Sequence, residues 1–180
     1  MQRGSWNEKR AKAIAAACDE ILGGALHDEF IVDPVQGGAG TSLNMNANEV
    51  IANRAIELLG GEKGNYALVS PNDHVNLGQS TNDVFPSAGR MAARRLLCTA
   101  RIRLQALEDA LEEKARQFDH VVKMGRTQLQ DAVPIRLGQE FAAYARAVRR
   151  DVARFDTAQD ELKYLNLGGT AVGTGLNASP

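Results

Sequence analysis

The sequence predicts an all-α (mainly α) protein, with a small N-terminal helical region followed by the long helices of a bundle. Three observations predict it. Apolar residues recur at steps of three and four through most of the chain, and only Phe30-Ile31-Val32 offers a short extended piece. Aromatic residues make up 5% of the 180 positions while alanines are plentiful, a composition suited to closely packed helices. Two long stretches also keep a near-heptad apolar seam, which demands neighbouring helices lying almost parallel or antiparallel. A chain of this length buries a core without disulfide staples.

The first periodic stretch runs from about Asn7 to Leu22, with Ala11, Ile14, Ala15, Cys18, Ile21 and Leu22 on one face and Gly23-Gly24 as its stop. The extended piece ends at Asp33-Pro34, and a Gly-, Thr-, Ser- and Asn-rich stretch follows from Gln36 to Asn48. Asn46 with Glu49 three residues on reads as a capping box that opens a second helix. That helix would bury Val50, Ile51, Ala55, Leu58 and Leu59 before closing at Gly60-Gly61. A polar, turn-rich segment, Glu62 to Thr81, leads to a long helix over about Asp83 to His120. Pro86 falls in the first turn of that helix, where a missing N–H costs little.

The long helix carries a seam of Ala93, Leu97, Ala100, Leu104, Leu107, Leu111 and Phe118, interrupted at Lys114. Its early arginines and later acids oppose the helix dipole, so packing must supply much of its stability. A break from Met124 to Val133 separates it from a second long helix that begins near Pro134. Phe141, Ala145, Val148, Val152, Phe155 and Leu162 repeat the seam there, with Gln159 as the interruption. Leu167 to Pro180 reads as a Gly/Thr/Asn loop, and the natural division of the chain falls at about Gln79.

Several function classes are excluded at this level. The 21 Lys and Arg nearly balance 22 Asp and Glu, and the Arg90–Arg103 stretch has no interleaved aromatics, so no nucleic-acid partner is expected. No apolar run reaches bilayer length and the first thirty residues are charged throughout, which excludes a membrane span and a secretory signal and points to the cytoplasm. Cys18 and Cys98, eighty residues apart, form no disulfide framework. His27, His74 and His120 lack metal-ligand spacing, and no Cys-x-x-Cys occurs. Gly37 to Gly40 lacks the Lys-Ser/Thr ending of a phosphate loop, and Gly169 to Gly175 does not lie between a strand and a helix. No metal and no cofactor are therefore expected.

Three polar loops remain, each placed beside a helix start. They are Gly37-Gly38-Ala39-Gly40-Thr41-Ser42 with Asn44, Asn46 and Asn48; His74 to Asp83; and Gly125 to Asp131. Hydroxyls, amides and unpaired helix N–H groups donate to a carboxylate, and the helix dipole favours its charge. Each loop also has a plain structural reading. Ser80, Thr81, Asn82 and Asp83 serve equally as N-caps, Thr127 as a turn residue, Gln128 as an exposed amide, and Arg126 as a partner of Asp131.

These loops carry long motifs in a fixed order: GGAGTSLNMNANEVIANRA from Gly37 to Ala55, PNDHVNLGQSTNDVFPSA from Pro71 to Ala88, GRTQLQDAVP from Gly125 to Pro134 and LGGTAVGTGLN from Leu167 to Asn177, preceded by Trp6-Asn7-Glu8-Lys9. In them the sequence resembles the aspartase/fumarase superfamily, and its aspartase branch most. Fumarases read TGSGTQ where this chain has GGAGTS, and SSND where it has Ser80-Thr81-Asn82-Asp83. Gln128 stands where fumarases and some aspartases carry histidine, and other aspartases carry glutamine there too.

The resemblance implies reversible deamination of L-aspartate to fumarate and ammonia through Cβ proton abstraction and an aci-carboxylate. It assigns Thr41, Ser80, Thr81 and Thr127 to the β-carboxylate, and Asn82 and Gln128 to the amino group and α-carboxylate. It assigns no catalytic residue here. The family's base lies on a flexible loop of the type Gly-Ser-Ser-x-Met-Pro-x-Lys-x-Asn, which has no counterpart in these 180 residues. Family chains are more than twice as long, which implies a piece lacking the N-terminal start and the C-terminal half. Residues 1–79 are then part of the N-terminal lyase domain, and 80–180 carry the first two long helices of the central bundle. Family enzymes are homotetramers whose sites draw on three subunits. Two other readings stand beside this one: a fumarase, and a non-catalytic helical assembly module.

Overall fold

The computed structural model describes residues 8–33, 35–36, 38–176 and 178, so Trp6, Asn7, Pro34, Gly37, Asn177 and Pro180 of the sequence reading lie outside the described residues. The chain divides into two compact units, Met1–Ala88 with Leu165–Pro180, and Gly89–Tyr164. Its regular elements are α1 (Glu8–Leu22), α2 (Thr41–Leu58), α3 (Thr81–Gln117), β1 (Val122–Thr127), β2 (Gln130–Arg136) and α4 (Leu137–Glu161). The mainly helical expectation holds, with one two-stranded hairpin added.

In the first unit, Ala13 and Ala17 of α1 pack on Ala52, Ala55 and Ile56 of α2 and on Val69, with Ile14, Ile51, Leu68 and Val75 at the margin. Alanines at the contact let the two backbones approach closely, so a small core is well filled. Arg54 of α2 clamps Glu20 of α1 through Nε and Nη2 at 2.5 and 3.0 Å, which pulls the Glu20 carboxyl below its ordinary pKa and raises that of Arg54. The buried face of α1 is rotated from the expected one: Ala13 and Ala17 are inside, whereas Leu22 is exposed. Leu58 and Leu59, expected in the core, are exposed where α2 runs out.

The start of α2 is a clear correction. The helix begins at Thr41 behind a Gly40 N-cap, not at Asn46, so Asn44, Asn46 and Asn48 are helical residues. Asn46 instead staples the preceding segment, accepting from the Val32 N–H at 3.3 Å and donating to the Glu29 carbonyl at 3.0 Å. Phe30-Ile31-Val32 forms no strand and follows a single 3-10 turn, His27–Glu29. Between α2 and α3 the chain makes a π-helical turn, Pro71–Val75, capped by Ser70, whose Oγ accepts from the Asp73 N–H at 3.1 Å.

The second unit pairs α3 and α4 antiparallel. Phe118 meets Phe141 with ring centroids 5.5 Å apart, Glu108 meets Arg149, Arg101 meets Asp156, and Cys98 meets Gln159, one residue number rising as the other falls. The α4 seam lies as expected, with Ala145 and Val152 buried and Phe141, Val148, Phe155 and Leu162 half-buried. On α3 the expected Leu107 is exposed, and Glu108 takes the buried position, accepting from Arg149 Nε at 2.6 Å and from Gln105 Nε2 at 3.0 Å.

The expected break between the long helices is an antiparallel hairpin with a bulge between Met124 and Arg126. Pro134 belongs to β2, and α4 starts three residues later at Leu137. A Cβ on Gly125 would come within 2.8 Å of the Val133 carbonyl oxygen, so the bulge requires glycine.

Candidate functional site

The first unit brings the starts of α2 and α3 together. Gly40 caps α2 at φ +83°, and its open Cβ position is filled by the Phe85 ring from α3. Thr41, Ser42 and Leu43 then form the first turn, whose N–H groups have no acceptor within the helix. Just before α3, Ser80 Oγ accepts from the Asn82 N–H at 3.2 Å, while the buried Asp83 carboxylate accepts from the Ser80 N–H at 3.3 Å. That reciprocal cap fixes Ser80, Thr81 and Asn82 at the positive end of the helix dipole.

Pro86 lies one turn deeper than expected, inside α3. Having no N–H, it leaves the Asn82 carbonyl without its helical donor, and Asn166 Nδ2 reaches that oxygen at 3.4 Å. The 166–171 segment closes over the same turn. Asn166 N–H donates to Ser87 Oγ at 3.0 Å, Thr170 N–H to Asp83 at 2.9 Å, and Asn82 Nδ2 donates to the Ala171 carbonyl at 3.1 Å.

A chain of amides ties the two helix starts. Asn44 Nδ2 donates to Thr81 Oγ1 at 3.0 Å and to Asn76 Oδ1 at 3.4 Å; Asn48 Nδ2 donates to the same Asn76 oxygen at 3.0 Å. Asn76 Nδ2 in turn donates to the Gln79 carbonyl at 3.2 Å. Asn44 and Asn48 are buried on the same stripe of α2 as Ala52 and Ile56. Their composition is that of a polar loop, while their four-residue spacing in phase with Ala52 and Ile56 marks them as helical. Nearby, His74 Nδ1 accepts from the Ser70 N–H at 2.8 Å. Burial, then Arg10, hold its pKa below the ordinary imidazole value against the pull of Asp73.

Thr127 and Gln128 lie in the second unit. Thr127 ends β1 opposite Gln130, and Gln128-Leu129 form the turn with φ of +51° and +64°. Positive φ at both positions is the pattern of a type I′ hairpin turn, made here without glycine or asparagine. Both Thr127 and Gln128 are exposed, and Arg126 pairs with Asp131 across the strands at 3.1 Å.

Thus Thr41, Ser80, Thr81 and Asn82 cluster at two joined helix starts, and Thr127 and Gln128 share a hairpin tip. A cavity of about 690 Å³ in the second unit, lined by Arg116, Asp119, Arg136 and Arg146, contains none of the six. Among the described residues, no group of three or more His, Cys, Asp or Glu is placed to hold a metal ion, and no helix is long and apolar enough to cross a membrane. The chemistry available at the helix starts is donation from neutral hydroxyls and backbone N–H groups, which suits a small carboxylate.

A family model described as Lyase matches residues 2–180. The chain is 57% identical over 169 residues to an aspartate ammonia-lyase of Bacillus subtilis (strain 168), covering 94% of this chain and 36% of that one. It is 54% identical to a class II fumarate hydratase of Halobacterium salinarum, covering 97% of this chain and 37% of the relative. The crystal structure of a fumarate lyase:delta crystallin from Brucella melitensis bound to cobalt superposes with a TM-score of 0.85 at 54% identity, over 97% of this chain and 38% of that one. The chain spans little more than a third of the length of these relatives.

Proposed function

The chain belongs to this lyase family, and on that premise we propose that it supplies two substrate-binding regions of an aspartate ammonia-lyase. The reaction is the reversible deamination of L-aspartate to fumarate and ammonia. Removal of a Cβ proton moves a second negative charge onto the β-carboxylate. Only donors aimed at that growing charge lower the barrier. Thr41, Ser80, Thr81 and Thr127 take this role. Asn82 Nδ2 is engaged by the Ala171 carbonyl, which leaves Oδ1 to accept from the substrate ammonium. Gln128 shares the amino group and α-carboxylate.

None of these groups is the base, and the serine loop of the family has no counterpart in this sequence. In this reading 1–79 is part of the N-terminal lyase domain and 80–180 begins the central bundle. The working enzyme is a cytoplasmic homotetramer. The observation that carries the proposal is the joining of two helix starts, Gly40 under Phe85 and Asn44 on Thr81, around uncharged donors.

Fumarase is the second reading, favoured by the fumarate hydratase relative. GGAGTS and Ser80-Thr81-Asn82-Asp83 favour aspartase. The test is a chimera in which this chain replaces the matching segment of the Bacillus subtilis relative. It should release fumarate, followed by ultraviolet absorbance, from L-aspartate and aminate fumarate in the reverse direction. An assembled chimera that hydrates fumarate and leaves L-aspartate untouched would overturn the proposal.

A further inference from the structure

The amide chain has a direction that can be read from one unambiguous end. The Gln79 carbonyl can only accept, so the group of Asn76 that faces it is the NH₂, and Asn76 presents its oxygen toward α2. That single oxygen faces both Asn44 and Asn48, which must therefore turn their own NH₂ groups to it. The second hydrogen of the Asn44 NH₂ then points at Thr81 Oγ1. A hydroxyl has one hydrogen to donate, and with a donor already facing its oxygen, that hydrogen is turned away from Asn44.

We propose that Asn76 and Asn44 are positioning residues that set the polarity of the Thr81 hydroxyl, holding it as a hydrogen-bond donor toward the substrate carboxylate. This rests on the carboxylate-binding role given to Thr81 above. Burial supports the α2 end of the relay: Asn44 is 9% and Asn48 5% exposed, so water has little access to their amides, whereas the Asn76–Gln79 bond that sets the direction lies at the surface. A hydroxyl free to rotate must be ordered at the moment of reaction. One whose acceptor side is already occupied needs no such reorganisation.

The test is a double-mutant cycle in the aspartate-cleaving chimera with Asn44→Leu and Thr81→Val. Asn44→Leu is expected to lower kcat/KM by about ten- to a hundredfold, the worth of one hydrogen bond to a charged group. In the Thr81→Val background the same change should cost less than about threefold, and in Thr81→Ser, which keeps the hydroxyl, the full loss should return. A purely structural asparagine would add its loss in every background, and that outcome would overturn the relay. If Asn44→Leu does not assemble, Asn76→Leu, one bond further from Thr81, runs the same cycle with the same expected non-additivity. Thr81→Val alone leaving kcat/KM unchanged would sink the role of Thr81 itself and the relay with it. A large loss at Thr81→Val with additive asparagine effects would sink the relay only.

Discussion

Gly40 holds α2 against the start of α3 by having no side chain. At φ +83° an alanine is strained, and its Cβ would overlap the Phe85 ring. Gly40→Ala should therefore lower stability by about 2–4 kcal/mol, read from urea unfolding, the left-handed backbone and the overpacking acting together. It should also raise KM for L-aspartate in the chimera, because Thr41 and Thr81 lose their common support. A variant as stable as the parent would show both that Phe85 swings aside freely and that the backbone at position 40 leaves the left-handed region without cost. At this scale the hydroxyls and amides at the helix starts were legible, because Ser, Thr and Asn beside a helix start carry their hydrogen-bonding groups in their own side chains. The buried partners were not. Asn44 and Asn48 have the composition of a loop, and only the position of the Gly40 cap places them inside α2. Asn76 becomes a hub because it lies across from α2, a tertiary fact with no local signature.

Among the elements, periodicity marks the helices, though not the start of α2 or the buried face of α1, and leaves the hairpin unmarked. The seam of α4 survives because Phe141, Ala145, Val148, Val152 and Phe155 all lie on the side that meets α3, and periodicity records that directly. The strands β1 and β2 bury little besides Gly125, so no alternating apolar pattern marks them, and Gln128-Leu129 is not a favoured turn pair. Leu129 is 95% exposed at φ +64°, and Leu129→Asn relieves left-handed strain while giving up no burial. It should stabilise the hairpin by about 0.5–1 kcal/mol, seen as slower amide exchange across Thr127 and Gln130. Unchanged or faster exchange would show that the turn is held by something other than its own backbone preference. Gln128 has the same strained backbone without a packing reason for it, and in the proposed role its position serves the substrate instead.

For the molecule as a whole, the two units differ in how much they hide. The first has a core of six buried apolar residues from α1, α2 and Val69, whereas Ala145 and Val152 are the buried apolar residues among those described in the second. Met91 and Ile102, about three turns apart on α3, lie on the side away from Leu97 and Leu104, and both are exposed. A helix apolar on two sides needs partners on both. Two small buried side chains and a seam that is only half-buried contribute little against the chain entropy lost in ordering α3, the hairpin and α4. In the proposed tetramer the second unit draws stability from association with other helices. Its thermal midpoint should rise with protein concentration, by the equivalent of about 2.7 kcal/mol over a hundredfold range above the dissociation constant, while the first unit melts independently of concentration. Ile102→Glu places a carboxylate on the uncovered side of α3 and should remove that dependence; on sedimentation it should leave the chain monomeric. Leu97→Asp, on the α4-facing seam, should instead unfold the second unit at every concentration. Melting of the second unit that ignores both concentration and Ile102→Glu would mean that α3 and α4 suffice for each other, and that the apolar side carrying Met91 and Ile102 is simply wetted.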